Sequence, residues 1–350
     1  MKTALLNFSL EELKEYIKAL GEPEYRAKQI MYWMLRGEET EGMTNLPKAL
    51  RGRLSEQAEV GVPAVARKLV SKLDGTVKYL LRLSDGQCVE SVVMKYEHGN
   101  TICVSTQVGC RMGCRFCAST IGGLVRNLRP GEILGQVIAA QRDTGERIDG
   151  IVLMGIGEPL DNYDNVIKFL RLVGSPDGLN IGYRHISLST CGLADRIARL
   201  AQERLPITLS VSLHAVCDGE RDEIMPVNRR FDMDTLLSAC RDYFDKTGRR
   251  ISFEFTLIAG KNDDTEHAAR LAALLHRYFG SDPCHVNLIP VNEVREREFR
   301  RSPHAKQFCQ ELNRRGVNAT VRRHLGADIN ASCGQLRRTA AGERTGAEED

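Results

Sequence analysis

Apolar positions recur along this chain with more than one period, and each period marks a different kind of element. Near the start, Leu10, Leu13, Tyr16, Ile17 and Leu20 keep helical spacing behind Ser9, Glu12 completes a capping box, and Gly21 ends the helix. The same period predicts a second helix over Glu24–Arg36, with Ile30, Trp33 and Met34 inward, and a third from Leu46 to about Glu59, making residues 1–60 a helical module. Over 61–98 the period falls towards two. Segments Ala66–Leu73, Val77–Leu83 and Val89–Met94, with Asp74-Gly75 and Asp85-Gly86 at the turns, read as a strand meander that extends the fold.

After Gly99-Asn100 the pattern becomes strand then helix, repeated six times. Strands are predicted at Ile102–Gln107, Gly150–Met154, His185–Thr190, Ile207–Ser212, Ile251–Leu257 and Val286–Pro290. Helices follow in turn at about Gly131–Thr144, Asn162–Leu172, Ala194–Glu203, Asp232–Lys246, Thr265–Tyr278 and His304–Arg315. This alternation is that of an α/β core over 99–325, a parallel sheet covered by helices, either a partial barrel or an open doubly wound sheet. In both, ligands bind outside the carboxyl ends of the strands. Residues 326–350 form a C-terminal segment whose last part, Thr339–Asp350, is polar without periodicity and reads as a mobile tail.

Bulk properties narrow the class. With 350 residues and 42% hydrophobic content the chain can bury a proper core. Lys2, Glu11, Glu12, Lys14, Glu15 and Lys18 interrupt the first stretch, which therefore lacks the apolar core of a signal peptide, and no run of apolar residues is long enough to span a membrane. The odd count of 11 cysteines suits a reducing compartment rather than a disulfide framework, so a cytoplasmic location with no membrane partner is expected. Net charge is only +3, yet arginine pairs at 229–230, 249–250, 300–301, 314–315, 322–323 and 337–338 crowd the second half, a hint of a phosphate-binding surface.

The sharpest chemical signal is Cys110-Arg-Met-Gly-Cys114-Arg-Phe-Cys117, directly after the first core strand. At this cysteine content, Cys-x3-Cys-x2-Cys is expected by chance only about 0.01 times. Three thiolates can hold a four-iron cluster with one iron left open for a substrate. A structural zinc borrowing a fourth ligand, or three unrelated core thiols, are the competing readings. Gly155-Ile156-Gly157-Glu158-Pro159 after the second strand combines a close-approach turn with a carboxylate able to pair with an ammonium group.

With Phe116 as the aromatic residue, Cys-x3-Cys-x-aromatic-Cys resembles the signature of the radical S-adenosylmethionine (SAM) superfamily. The resemblance implies a partial (β/α)6 barrel of the radical SAM type. It also implies a [4Fe-4S] cluster on Cys110, Cys114 and Cys117, with SAM on the open iron. Gly157, Glu158, Ser189, Ser212, Leu213, His214 and Asn292 are then the SAM-binding candidates, and an electron donor such as flavodoxin or ferredoxin is required. Further stretches resemble the adenosine-C2 RNA methyltransferases of the RlmN type: Val89-Glu90-Ser91-Val92, the run from Cys103 to Cys110, the run from Cys117 to Leu128, the run from Cys284 to Asn292, and Asp328-Ile-Asn-Ala-Ser-Cys333-Gly-Gln-Leu336. This likeness spans Tyr25 to Leu336. The chain departs from it at Asn330 and Ser332, where that family usually carries Asp and Ala.

What the likeness implies is methylation of an adenosine in 23S rRNA and in certain tRNAs at C2, a carbon that is not nucleophilic and so cannot take a methyl by polar transfer. Cys333 would be methylated by one SAM and become the carrier, Cys103 would resolve the protein–RNA adduct by forming a disulfide with Cys333, and Glu90 would be the base. Both cysteines should then be reachable, since thiol exchange needs accessible sulfur. The C8-methylating relative linked to antibiotic resistance shares these motifs and is the alternative. The remaining cysteines, 88, 191, 217, 240, 284 and 309, read as structural, and a monomer is expected.

Overall fold

The computed structural model describes residues 2–294, 296 and 298–332. Cys333, the pair Arg337-Arg338 and the tail from Thr339 lie outside the described residues.

Ser9 caps the first helix as its spacing requires. Its hydroxyl accepts the Glu12 N–H at 3.2 Å, and the Glu12 carboxylate accepts the Ser9 N–H at 2.7 Å. Strand β1 (Thr3–Ala4), helices α1 (Leu10–Ala19), α2 (Arg26–Met34) and α3 (Lys48–Gln57), and strand β2 (Ala58–Glu59) make up the N-terminal module, with β1 and β2 paired in parallel. The meander follows as β3 (Ala64–Val70), β4 (Val77–Arg82) and β5 (Cys88–Tyr96), leading into β6 (Gly99–Cys103).

The expected continuous strand over Ile102–Gln107 is not formed. The chain leaves the sheet after Cys103 because the N–H groups of Thr106 and Gln107 turn to the Ile156 carbonyl, at 2.8 and 3.2 Å. Gln107–Gly109 (β7) then pairs with Leu124–Asn127 (β8) in a separate two-stranded ribbon that frames the Cys110–Cys117 loop. The core continues as α4 (Pro130–Thr144), β9 (Gly150–Leu153), α5 (Tyr163–Gly174), β10 (Ile186–Thr190), α6 (Ala194–Gln202), β11 (Thr208–Ser212), α7 (Asp218–Ile224), α8 (Met233–Thr247), β12 (Ile251–Leu257), α9 (Thr265–Phe279), β13 (Cys284–Pro290), α10 (Ala305–Arg314) and β14 (Asn318–Val321). Helix α7 and strand β14 were not predicted; β14 has four residues and only Ala319 fully inward, too little to set up an alternation.

One sheet of ten strands, ordered β14-β13-β12-β11-β10-β9-β6-β5-β4-β3, unites the core with the meander. Pairing is parallel from β6 through β14 and antiparallel from β3 to β6, so the meander is the sheet's own continuation rather than an appendage. All seven residues of β12 are buried, as expected for a strand covered on both faces. Parallel strands β6 and β9 to β14 with helices between them form the α/β core that the alternation predicts. Buried Gln136 on α4 locks helix to sheet: its side-chain oxygen accepts from the Ser91 hydroxyl at 2.7 Å and the Ser105 N–H at 2.9 Å, and its amide donates to the Ser105 carbonyl at 2.8 Å. Among the described residues no helix is long and apolar enough to cross a membrane.

The N-terminal module seats on α4 and α5. Asn7 Oδ1 accepts the Gly131 N–H at 2.9 Å, Arg142 donates to the Gly37 carbonyl at 2.8 Å, and Lys168 pairs with Glu12 at 2.6 Å. A Cβ on Gly131 would lie 2.8 Å from Leu6 C and 2.9 Å from Asn7 N, backbone atoms that cannot move aside cheaply. Gly131→Ala is therefore expected to cost about 1–3 kcal/mol and to loosen residues 2–60 first. Denaturant unfolding with limited proteolysis checks this, and an unchanged midpoint with unchanged cleavage would refute it.

Candidate active site

At the carboxyl ends of β9 to β13 the sheet opens into a cavity of about 920 Å3, and Cys110, Cys114, Cys117, Gly157, Glu158, Ser189, Ser212, His214 and Asn292 all line it. Leu213 alone of the expected set does not. Its side chain is in the core, its N–H donates to the Glu254 carbonyl at 3.0 Å, and its own carbonyl accepts from Arg221 at 3.1 Å.

The cysteine loop is pinned from both sides. Cys110 N–H donates to the Gly123 carbonyl at 3.1 Å and Arg115 N–H to the Ile224 carbonyl at 2.9 Å, while the Thr120 hydroxyl bonds the carbonyls of Cys114 and Cys117 at 3.3 and 2.9 Å. None of the three thiols is in a disulfide, and none joins a set of three metal-ligating side chains at single-ion spacing among the described residues. A cubane asks less convergence than zinc, because each thiolate binds a different iron. Burial pushes the Cys110 thiol up to about 12 and the Cys114 thiol well above its ordinary value. Loading a cluster must therefore displace protons from this loop.

Glu158 lies beside the cysteines and is almost fully buried. Gly157 brings it there: at φ +108°, a Cβ would stand 2.6 Å from Gln107 Cβ and 2.8 Å from its backbone nitrogen. Gln107 Oε1 accepts the Glu158 N–H at 2.9 Å, and the carboxylate accepts N–H groups from Cys191 at 2.7 Å and Leu160 at 3.0 Å. Burial raises its proton affinity and these bonds oppose that. The result is a fixed, desolvated acceptor suited to an ammonium group. Cys191, expected to be structural, lines the same cavity.

His214 sits at φ +60° with its ring edge-on to Phe116, centroids 4.8 Å apart. Its Nδ1 accepts the Thr256 N–H at 2.9 Å, which assigns the proton of the neutral ring to Nε2. Behind it lies Arg221, fully buried, donating to the carbonyls of Leu213, Ser212 and Cys191 and to Asn228 Oδ1 at 2.7–3.1 Å. Sequence reasoning missed Arg221, because its surroundings, Asp-Gly-Glu-Arg-Asp-Glu, read as a solvated helix face.

A second cavity of about 1290 Å3 adjoins the first across Met154, Ile289, Asn292 and Arg322. Cys103 lines it, and so do Arg301, Arg323 and His324. Cys103 is only 7% exposed, which corrects the expectation of a freely reachable thiol: its access is through this cavity. Of the arginine pairs, 314–315 is held by Glu311 at 2.7 and 2.6 Å, whereas Arg301, Arg322 and Arg323 converge on this cavity. Register puts Lys78 opposite Val92, Val92 opposite Cys103 and Cys103 opposite Val152. Glu90, two residues before Val92, shares that sheet face and is 1% exposed. Cys333 lies outside the described residues, but Ala331 just before it packs against Val92, Cys103 and Ile156. Also missed was Glu254, buried at the border of the cavities, which accepts from Asn287 Nδ2 at 2.9 Å and faces Arg322 at 3.7 Å.

Known proteins share this arrangement. The radical SAM superfamily matches residues 104–272, and the ribosomal RNA large subunit methyltransferase N-terminal domain matches residues 3–60. The crystal structure of a radical SAM methyltransferase from Sphaerobacter thermophilus superposes with a TM-score of 0.91 at 44% identity, covering 95% of this chain and 99% of that one. Fold and site together define a radical SAM methyltransferase, an enzyme that works with a [4Fe-4S] cluster and SAM. The probable dual-specificity RNA methyltransferase RlmN of Clostridium perfringens is 54% identical over 339 residues, 96% of each chain. The same-named proteins of Desulforamulus reducens and Clostridium tetani are 54% and 53% identical over 341 and 337 residues, 96% and 95% of each chain. The chain belongs to the RlmN family of RNA methyltransferases.

Burial lowers the His214 pKa from 6.5 to about 3, with the Arg221 charge adding to it. A group depressed on folding contributes stability that is present above its unfolded value and lost as pH falls from about 6.5 towards 3. Between pH 6.5 and 5 this is expected to remove about 2 kcal/mol from the native protein. Urea unfolding of the native protein and His214→Gln at both pH values checks it. The stability gap between them should shrink by that amount on acidification, and a constant gap would show that His214 titrates normally.

Proposed function

We propose that this protein methylates C2 of an adenosine in 23S rRNA and in certain tRNAs, in the cytoplasm, as a monomer served by a flavodoxin- or ferredoxin-type electron donor. The observation that carries the reading is the shared border of the two cavities. A group bound among Cys110, Cys114, Cys117 and Glu158 faces, across Met154 and Asn292, the sheet surface that holds Cys103 and Glu90. C2 rather than C8 regiochemistry is supported by relatives named RlmN at about half identity over nearly the whole length.

In this reading residues 1–60 and the meander over 61–98 present RNA to the core at 99–325, and 326–350 deliver the carrier cysteine. The module suits that task. Tyr25 and Tyr32 are exposed on it, and Arg26 and Arg36 lie over their rings at 4.8 and 3.5 Å, offering stacking surfaces beside positive charge. Arg301 and Arg323 supply phosphate contacts at the second cavity.

Cys110, Cys114 and Cys117 would hold the cluster, and Gly157, Glu158, Ser189, Ser212, His214 and Asn292 would surround SAM, with Leu213 packed in the core behind them. When bound, cluster and SAM supply the methyl group and the hydrogen-abstracting radical. The chain's own residues do the rest. The Glu158 carboxylate, already held by two backbone donors, orients the SAM ammonium without reorganising. His214 stays neutral beside it, which avoids placing a second cation against the sulfonium. Cys333 carries the one-carbon unit to the adenine, and Glu90 accepts the proton released at C2. The Cys103 thiolate then attacks the Cys333 sulfur, the carbon–sulfur bond of the adduct breaks with its electron pair left on the carbon, and that methylene takes up the proton Glu90 had accepted, leaving a methyl on the ring. Seclusion of Cys103 in a cavity keeps that thiol from adventitious oxidants until RNA arrives.

Mass mapping of modified adenosines in rRNA and tRNA from cells with and without the gene tests the substrate. Loss of 2-methyladenosine from both RNAs is expected; unchanged 2-methyladenosine, or loss of the 8-methyl isomer, would refute the reading. The two-cysteine chemistry has its own readout on a denaturing gel with labelled RNA, SAM and reductant. Cys103→Ala should accumulate a protein–RNA adduct, and both Cys333→Ala and the double variant should show none. Normal turnover by Cys103→Ala would remove its resolving role.

A further inference from the structure

Lys78, the second residue of β4, is a buried cation, 8% exposed. Its ammonium lies 2.8 Å from a Glu90 carboxylate oxygen and donates to the Asn330 carbonyl at 3.1 Å. Burying a lysine is costly unless its donors are met, so a fold that retains one here gains something other than packing. The two partners are 240 positions apart in sequence and come together at this ammonium group. Glu90 belongs to the sheet. Asn330 belongs to the segment that runs into Cys333.

That segment is gripped by the β3–β4 turn along its length. Asp74 accepts the Gly326 N–H at 2.9 Å, the Lys72 N–H donates to Asp328 at 2.9 Å, and Lys78 takes the Asn330 carbonyl. Within the segment, Ala331 N–H bonds the Gly326 carbonyl at 3.0 Å and the Ser332 hydroxyl bonds the Leu325 carbonyl at 2.9 Å. Asn330 itself sits at φ +49°, ψ +45°, a conformation that Asn tolerates as Asp does. This accounts for both departures noted from the family pattern. What the site uses at 330 is a backbone carbonyl, and the Ser332 hydroxyl finds a local acceptor.

We propose that Lys78 is a positioning residue for methyl transfer: its ammonium ties the Glu90 carboxylate to the Asn330 carbonyl, so one buried cation sets the base and the approach of the cysteine-bearing segment together. The inference rests on the roles given above to Glu90 and Cys333. Lys78 lines neither cavity. It acts by holding two groups in register on the face that carries Cys103. Asp74 and Lys72 hold the segment's start, and Lys78 alone among these contacts also reaches the base.

The test uses the full-length, cluster-loaded protein and three variants: Lys78→Met, Glu90→Gln and the two combined. Backbone hydrogen exchange over 326–332 is read by mass spectrometry beside steady-state methyl transfer and thermal midpoint. Exchange is expected to quicken about tenfold or more in Lys78→Met and equally in the double variant, and to stay near the native rate in Glu90→Gln. Turnover in Lys78→Met should fall at least about tenfold with the KM for SAM unchanged, and the double variant should turn over little more slowly than Glu90→Gln alone, because coupled residues are not additive. The double variant should regain the thermal midpoint lost in Lys78→Met, since no buried carboxylate charge then faces an apolar side chain. Native exchange rates in both Lys78 variants would overturn the proposal. Failure of both to fold would do so too, since the cation would then serve the core and not the segment. If Glu90→Gln turns over normally, the base assignment falls, while the tie between Lys78 and the segment is still decided by the exchange rates.

Discussion

The turn Gly155-Ile156-Gly157 presses its backbone against residues 104–107, and the active site depends on that contact. The Ile156 carbonyl accepts from Thr106 and Gln107, the Gly155 N–H donates to the Val104 carbonyl at 3.1 Å, and the Gln107 side chain accepts the Glu158 N–H. Side chains at 155 or 157 would collide with this backbone. Because the turn ends one strand and its partner segment ends the next, their contact draws β6 off the sheet after Cys103. It sends the cysteine loop across the carboxyl ends and aims Glu158 at it. Ile156 meanwhile faces the other way, into the small cluster with Val92, Cys103 and Ala331. One backbone junction thus orients both cavities.

Around that junction the protein buries an unusual amount of charge: Arg221, Lys78, Glu90, Glu158 and Glu254 are each less than a tenth exposed. Each has its acceptors or donors met by defined groups, mostly backbone carbonyls and N–H groups that cannot relax away. Such ions add little net stability, because desolvation offsets most of the attraction. Their consequence is geometric. Groups fixed by several short bonds in a water-poor site need no reorganisation when a charged ligand arrives, which is how a preorganised pocket favours reaction over binding alone.

The helical and strand periods carried most of the fold, because long amphipathic segments depend on local residue order. The Cys110–Cys117 spacing and the Gly157-Glu158 turn were legible for the same reason: their ligating residues are neighbours along the chain. Where the pattern failed, tertiary bonds had overridden local preference. Residues 104–107 carry the β-branched Val104 and Thr106 that suit a strand, but the N–H groups of Thr106 and Gln107 serve Ile156. Strand β14 is too short to announce itself, and it exists because β13 offers it an edge.

Sequence by itself determined the chemistry: three thiols on one loop, an acidic turn after the next strand, and isolated cysteines at 103 and 333 within recognisable runs. Only the tertiary structure decided that Cys103 is secluded in a cavity and that Leu213 packs into the core instead of lining the first cavity. It alone decided that three arginines among many converge at the second cavity, and that Arg221 and Lys78 lie inside. The reason is physical. A lysine or arginine is written the same way whether it meets water or four buried acceptors, and which of these it meets is settled by contacts between residues far apart in the chain.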